Sequence, residues 1–189
     1  MAILQVQPEQ ISRINYFAGL SPEQAEKMAG IARRRSSAAG DEIIRDGDTG
    51  DSVFLLLQGQ VEISKTLYVK GGEGFSQASK AIIRLESKDP PPAEKPLAES
   101  HILTIPGFFA FGEMALFDKN SQRSATVTAT TGCELGVILN ADFVALAEAD
   151  MVMGYRVFVN IARKLSEDLN RANQDILNLT TAFSFALQR

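Results

Sequence analysis

Phe111-Gly112-Glu113-Met114-Ala115-Leu116-Phe117, followed six residues later by Arg123-Ser124-Ala125-Thr126-Val127, is the stretch whose reading decides the fold. It reads as a strand end, one short helical turn, a polar loop over Asp118-Lys119-Asn120-Ser121-Gln122, and a new strand. Gly112 allows a sharp turn and close approach of a ligand to the backbone. The turn from Glu113 to Phe117 then aims unpaired N–H groups at one spot, which suits an anion. Arg123 supplies a positive charge and a planar fork matched to phosphate oxygens, and Ser124 adds a hydroxyl donor. Glu113 is misplaced in a pure phosphate site. An ionised carboxylate only accepts hydrogen bonds, so it fits a ligand that also presents hydroxyl donors. A ribose joined to a phosphate has both features, which points to a nucleotide.

The two halves at this spacing resemble the phosphate-binding cassette of the cyclic-nucleotide-binding-domain family, of the catabolite activator protein and cyclic-nucleotide-dependent kinase regulatory-subunit type. The turn Asp46-Gly47-Asp48-Thr49-Gly50-Asp51, with Ser52-Val53-Phe54 and Gly59-Gln60-Val61, resembles the turn and strand pair that precede that cassette. The resemblance implies a mainly β fold: a double-stranded, jelly-roll-like β-roll with flanking helices and a long C-terminal helix. It implies Glu113 on the ribose 2′-hydroxyl, and Arg123 and Ser124 on the cyclic phosphate. By register with the family, Asp168 and Leu169 lie where the base is met. The implied ligand-binding positions are Phe111, Gly112, Glu113, Met114, Ala115, Arg123, Ser124, Ala125, Asp168 and Leu169. The ligand is cAMP or cGMP, with the base left open, and no cofactor or metal is expected. One departure stands out. The family shows Gly-Asp before the aromatic that precedes Gly-Glu, whereas Gly107-Phe108-Phe109-Ala110-Phe111 has an extra residue and no Asp.

At 189 residues the chain can bury one substantial core but not two large domains. Its net charge of −4 provides no global attraction for nucleic acid. The run Arg33-Arg34-Arg35 reads as a solvated strand edge or helix end. The lone Cys133 excludes an intrachain disulfide, fits a reducing compartment, and reads as a packed strand position. No apolar run approaches a membrane span and the N-terminus lacks a signal-peptide pattern, so a cytoplasmic protein without membrane contact is expected.

The domain reading follows the change of period along the chain. Residues 1–150 form the cyclic-nucleotide-binding domain: a helical lead over 1–40, a roll over 41–140 with an insertion at 67–100, and a short helix over 141–149. Ser21-Pro22-Glu23-Gln24 is a helix start with a capping box. Short β segments are expected at Ile43-Ile44, Val53–Leu57 and Val61–Ile63, with Gln58-Gly59-Gln60 as a turn. The Asp-rich turn fails as a calcium loop, because Asp51 and Leu57 fall where Gly and Glu are required. Gly71-Gly72-Glu73-Gly74 is a flexible turn without a P-loop ending. Lys80–Glu86 is a strand, Asp89–Pro96 an exposed extended loop serving as a passive insertion, and His101–Ile105 a return to the sheet.

Residues 151–189 read as one long lid and dimerisation helix. Ala162, Leu169, Ile176 and Phe183 fall seven apart, and Leu165, Ala172, Leu179 and Ala186 follow three residues on. That is the seam of a two-stranded coiled coil, so a homodimer signalling to an unknown downstream protein is expected. Nothing after Thr181 has a helix-turn-helix pattern, so direct DNA binding is not expected. Enzyme readings are poor: the single His101 lacks a nucleophile context, and a metal-binding roll needs several His ligands. The alternative is a degenerate fold of the same kind, a dimerising interaction module that binds no ligand.

Overall fold

The computed structural model describes residues 5–71, 74–87, 103–117 and 122–187. The chain opens with helix α1 (Pro8–Arg13), a 3-10 turn (Asn15–Phe17) and helix α2 (Pro22–Ile31). The capping box holds α2 as its sequence requires. The Gln24 N–H donates to Ser21 Oγ at 3.2 Å, and the Ser21 N–H donates to Gln24 Oε1 at 3.1 Å. Ala25, Met28 and Ala29 turn inward.

Strand content begins inside the stretch expected to be helical. Arg33–Ser37 forms β1. Two members of its basic run are paired locally, Arg34 with Glu134 at 3.0 Å and Arg33 with Asp142 at 3.6 Å. The remaining strands are β2 (Glu42–Ile44), β3 (Ser52–Gly71), β4 (Gly74–Ser87), β5 (Leu103–Pro106), β6 (Phe109–Phe111), β7 (Thr126–Ala129) and β8 (Cys133–Leu139). Helices α3 (Asn140–Ala149) and α4 (Met151–Leu187) complete the chain. The sheet curls into a roll with all pairings antiparallel except β4 with β5. It is the mainly β roll with a long terminal helix that the resemblance implied.

β3 is the spine. Its first half runs between β8 and β6, and its second half between β7 and β4. Gln58-Gly59-Gln60 is therefore not a turn between two strands. It is a bulge at which one strand passes from one part of the roll to the other: the register slips between Leu56 and Gln58, and Gly59 sits at φ +102°. Within the 67–100 stretch, Leu67–Gly71 and Gly74–Ser87 continue the pairing of β3 with β4, and β4 contains the strand expected at Lys80–Glu86. Asp89–Pro96 and His101 lie outside the described residues.

Period-2 alternation on β3 builds two cores. Val53, Leu55 and Leu57 face the helices with Phe17, Met28, Phe143 and Met153. Phe54, Leu56 and Val61 face the roll interior with Phe111, Val127 and Leu135. Cys133 is buried there, and its thiol donates to the Gln60 carbonyl at 3.3 Å.

A Cβ at Gly59 would lie 2.5 Å from the Gly132 carbonyl oxygen and 2.8 Å from Cys133 Sγ. Gly59→Ala is thus opposed by both backbone conformation and space. It is expected to cost about 2–3 kcal/mol, read as a lower urea midpoint at unchanged slope.

Candidate ligand-binding site

The cassette turn is a single 3-10 turn, Glu113–Leu116, entered through Gly112 at φ 78° and ψ 19°. Glycine is required there. A Cβ would meet Arg123 Nη1 at 2.6 Å and Ile44 Cδ1 at 3.1 Å. The turn is seated by Ala115 and Leu116, both buried. Asn140 Nδ2, at the start of α3, donates to the Ala115 and Leu116 carbonyls, both at 2.9 Å. The Asn140 backbone N–H donates to the Asp51 carbonyl at 2.7 Å. One residue thereby joins the cassette turn to the Asp-rich turn.

Arg123 is held on the other side of Gly112. Nη1 donates to the Gly112 carbonyl at 3.1 Å, and Nη2 donates to the Ser52 carbonyl at 2.8 Å and to Ser52 Oγ at 3.3 Å. Its guanidinium carbon stands 5.8 Å from the Phe54 ring centroid. Its main chain pairs with the Asp-rich turn: the Arg123 N–H donates to the Asp48 carbonyl, and the Gly47 N–H to the Arg123 carbonyl, each at 2.8 Å. A Cβ on Gly50 would lie 2.0 Å from Arg123 Nε. The turn that failed as a calcium loop is thus the cradle of Arg123. Burial lowers the guanidinium pKa from its ordinary value, and the Asp51 and Glu113 charges oppose that shift. The group stays a cation.

Glu113 lies in a cavity of about 410 Å³ lined also by Tyr16, Ile63, Ile83, Phe111, Lys164, Asp168 and Arg171 among others. Burial pushes its carboxyl above the ordinary carboxylate value. A hydrogen bond from its own N–H pulls the other way, as do the Lys164 and Arg123 charges, while Asp168 adds to the rise. Lys164 and Asp168 form an ion pair one turn apart on α4. Tyr16 lines the same cavity, and burial with the neighbouring Glu113 and Asp168 carboxylates pushes its hydroxyl pKa far up.

The structure brings Phe111, Glu113 and Asp168 into this one cavity. Arg123 instead lines an adjoining polar cavity of about 290 Å³ with Glu42, Arg45, Asp48, Gly50, Asp51 and Ser52. Met114, Ser124 and Leu169 are exposed, Ala115 is buried beneath the turn, and Gly112 and Ala125 are half-buried. None of these six lines either cavity. Tyr16, Ser52, Asn140 and Lys164 were not legible as site residues. Tyr16 and Asn140 sit among apolar neighbours in sequence, and only chain closure brings them to the turn. Lys164 had a signal, its place four residues before Asp168 on one helix face.

The cassette also touches α4. Phe117, just past the turn, packs on Phe158 with ring centroids 5.6 Å apart, and Phe158 packs edge-on against Phe143 at 5.4 Å.

The chain is 28% identical over 151 residues to the Cyclic AMP receptor protein of Thermus thermophilus, covering 80% of this chain and 57% of that protein. It superposes on the crystal structure of Thermus thermophilus Catabolite Activator Protein with a TM-score of 0.63 and 25% identity, over 88% of this chain and 63% of that one. The chain thus resembles the cyclic-nucleotide-binding-domain family in sequence and in fold. A cyclic nucleotide-binding domain from Methylobacillus flagellatus shares the fold, with a TM-score of 0.65 and 19% identity over 90% of this chain and 82% of that one. No family model matches the chain. The chain spans less than two thirds of the length of both Thermus relatives. Among the described residues no helix is long and apolar enough to cross a membrane, and no cluster of His, Cys, Asp or Glu has the makings of a metal site.

Glu113→Gln removes a carboxyl whose ionisation the fold opposes. A carboxyl with a raised folded-state pKa binds its proton more tightly folded than unfolded. Its contribution to stability therefore falls as pH rises from the unfolded value through the folded one. The stability of Glu113→Gln relative to wild type is expected to increase from mildly acid to neutral buffer. Thermal unfolding of the ligand-free proteins across a pH series reads this, and a constant difference would contradict it.

Proposed function

We propose that this chain is a regulatory sensor that binds a cyclic nucleotide, cAMP or cGMP, and signals through α4. The observation that carries the reading is the pairing across Gly112. An acceptor-only carboxyl faces a nucleotide-sized cavity on one side, and a cradled guanidinium lies on the other. The relative named Cyclic AMP receptor protein supports it. Glu113 takes the ribose 2′-hydroxyl. Arg123, using N–H donors left over from Gly112 and Ser52, takes the phosphate together with Ser124. Asp168 and Leu169 of α4 meet the base, and Phe111, Gly112, Met114, Ala115 and Ala125 shape the pocket. The site binds without turnover, and a cytoplasmic regulator is the location this reading implies.

Signalling follows from α4. Its first half is anchored by Met153, Val157 and Ile161, all fully buried. Beyond Arg171 every described side chain is exposed, including Ile176, Leu179 and Phe183. An apolar seam on a helix of 37 residues, about 55 Å long, favours a coiled-coil homodimer. Movement of the cassette passes to that helix through Phe117 on Phe158, and a ligand shifts the helix only by binding its positions unequally. Sedimentation equilibrium is expected to give a dimer for wild type and a monomer for Ile176→Glu; a wild-type monomer would remove the dimeric part of the reading.

A second reading has one observation in its favour. Arg123 is engaged by two carbonyls and lines a different cavity from Glu113. On that reading the domain is a dimerising interaction module without a ligand. Titration calorimetry with cAMP and cGMP separates the two. The sensor is expected to bind one of them, and Arg123→Ala to lose about 2–5 kcal/mol of affinity by leaving a phosphate charge unpaired. No binding of either nucleotide by wild type, with no thermal shift, would favour the module.

A further inference from the structure

The Glu113 cavity has two ends, and contacts with α4 order them. Asn160 Nδ2 donates to the Tyr16 carbonyl at 3.1 Å, and Phe117, just past the cassette turn, packs on Phe158. Tyr16 and the turn that carries Glu113 therefore stand level with residues 158–160 of α4. Lys164, Asp168 and Arg171 line the same cavity further along, at helical spacings of four and three residues. Eleven residues from Asn160, Arg171 lies about 16 Å along the helix axis. The cavity thus runs lengthwise beside α4, with Glu113 toward one end and Arg171 at the other.

The two walls differ in chemistry. The roll contributes Ile63, Ile83, Leu85 and Phe109, which are apolar and buried or half-buried. The helix contributes charges. A ligand between them needs apolar faces and a polar edge, which describes a purine base. Lys164 is paired with Asp168, and that pairing leaves the carboxylate further acceptor sites on its two oxygens. Arg171 is exposed at the wall and, among the described residues, makes no hydrogen bond or ion pair. The end of the cavity away from Glu113 therefore presents an acceptor fork and an unengaged donor fork, three residues apart on one helix.

The two purines answer that pair differently. Guanine carries two adjacent donors, the 2-amino group and N1–H, and beside them two adjacent acceptors, O6 and N7. Adenine carries one amino donor with an acceptor on either side of it. A carboxylate and a guanidinium can each make a two-pronged contact with guanine, but only a single one with adenine.

We infer that the base this cavity selects is guanine and that Arg171 is the residue that selects it: Asp168 accepts from N1–H and the 2-amino group, and the Arg171 fork donates to O6 and N7. The inference rests on the nucleotide reading above and adds to it the base and a residue that reads it. The ribose stays with Glu113 at the near end.

Titration calorimetry with cGMP, cAMP and cyclic inosine monophosphate, which lacks only the 2-amino group of guanine, tests it. Wild type is expected to bind cGMP about tenfold more tightly than cAMP, the scale of one two-pronged base contact, with the inosine nucleotide between them. Arg171→Ala removes an exposed side chain and leaves the core untouched. It is expected to weaken cGMP about tenfold while cAMP affinity stays unchanged, so the preference closes. A wild type that prefers cAMP, or binds both equally, would overturn the guanine assignment and leave the nucleotide reading standing. A cGMP preference that survives in Arg171→Ala would overturn the role of Arg171. Equal losses for both nucleotides would overturn it too, since they would mark a general attraction to the phosphate. Binding of none of the three would remove the nucleotide reading and this inference with it.

Discussion

Everything that positions the site hangs on one strand that changes partners without ending. β3 must pair with β8 and β6 before Gly59 and with β7 and β4 after it. A continuous strand can do this only where an extra residue and a left-handed backbone bend the ladder, and Gly59 has the φ and the clearance for both. The two ends of the cassette are registered on this strand. Phe111 pairs with Phe54, while Val127, four residues beyond Arg123, pairs with Ile63. The loop between them is thereby pinned at both feet, and Gly112 and Arg123 are forced to meet.

Their meeting sets the electrostatics. Two opposite charges are drawn partly out of water on either side of one glycine. Neither directly neutralises the other. Arg123 is satisfied by carbonyls, while Glu113 faces its cavity beside Tyr16 and Lys164. Each therefore retains capacity for a further partner, a state that costs folding stability and favours binding. Asn140 and Phe117 then tie the turn to α3 and α4.

Much of this was legible before any coordinates. The helix start at Ser21, the cassette turn, the short strands and the long terminal helix follow from local chemistry: a capping box, a glycine before a short turn, runs of β-forming residues, and apolar residues at helical spacing. The β-roll that gathers the strands was implied by the family resemblance. The misread elements share a cause. Gln58-Gly59-Gln60 has turn composition, yet a bulge uses the same glycine without reversing the chain. Arg33–Ser37 has no apolar face in sequence, and it becomes a strand because β8 offers it an edge. The strand expected at Lys80–Glu86 is longer than its sequence signalled, because pairing between β3 and β4 carries the ladder out to Gly71 and Gly74.

By itself the sequence determined which groups are available: an acceptor-only Glu113, a forked Arg123, a glycine between them, and an apolar stripe along α4. Those are properties of residue type and spacing, which need no long-range contact to be read. Only the tertiary structure decided what those groups face. It placed Arg123 on two backbone carbonyls in its own cavity, and it set Tyr16, nearly a hundred residues away in sequence, against Glu113. Burial and shifted proton affinity arise from neighbours that sheet closure brings together, and no local pattern encodes them.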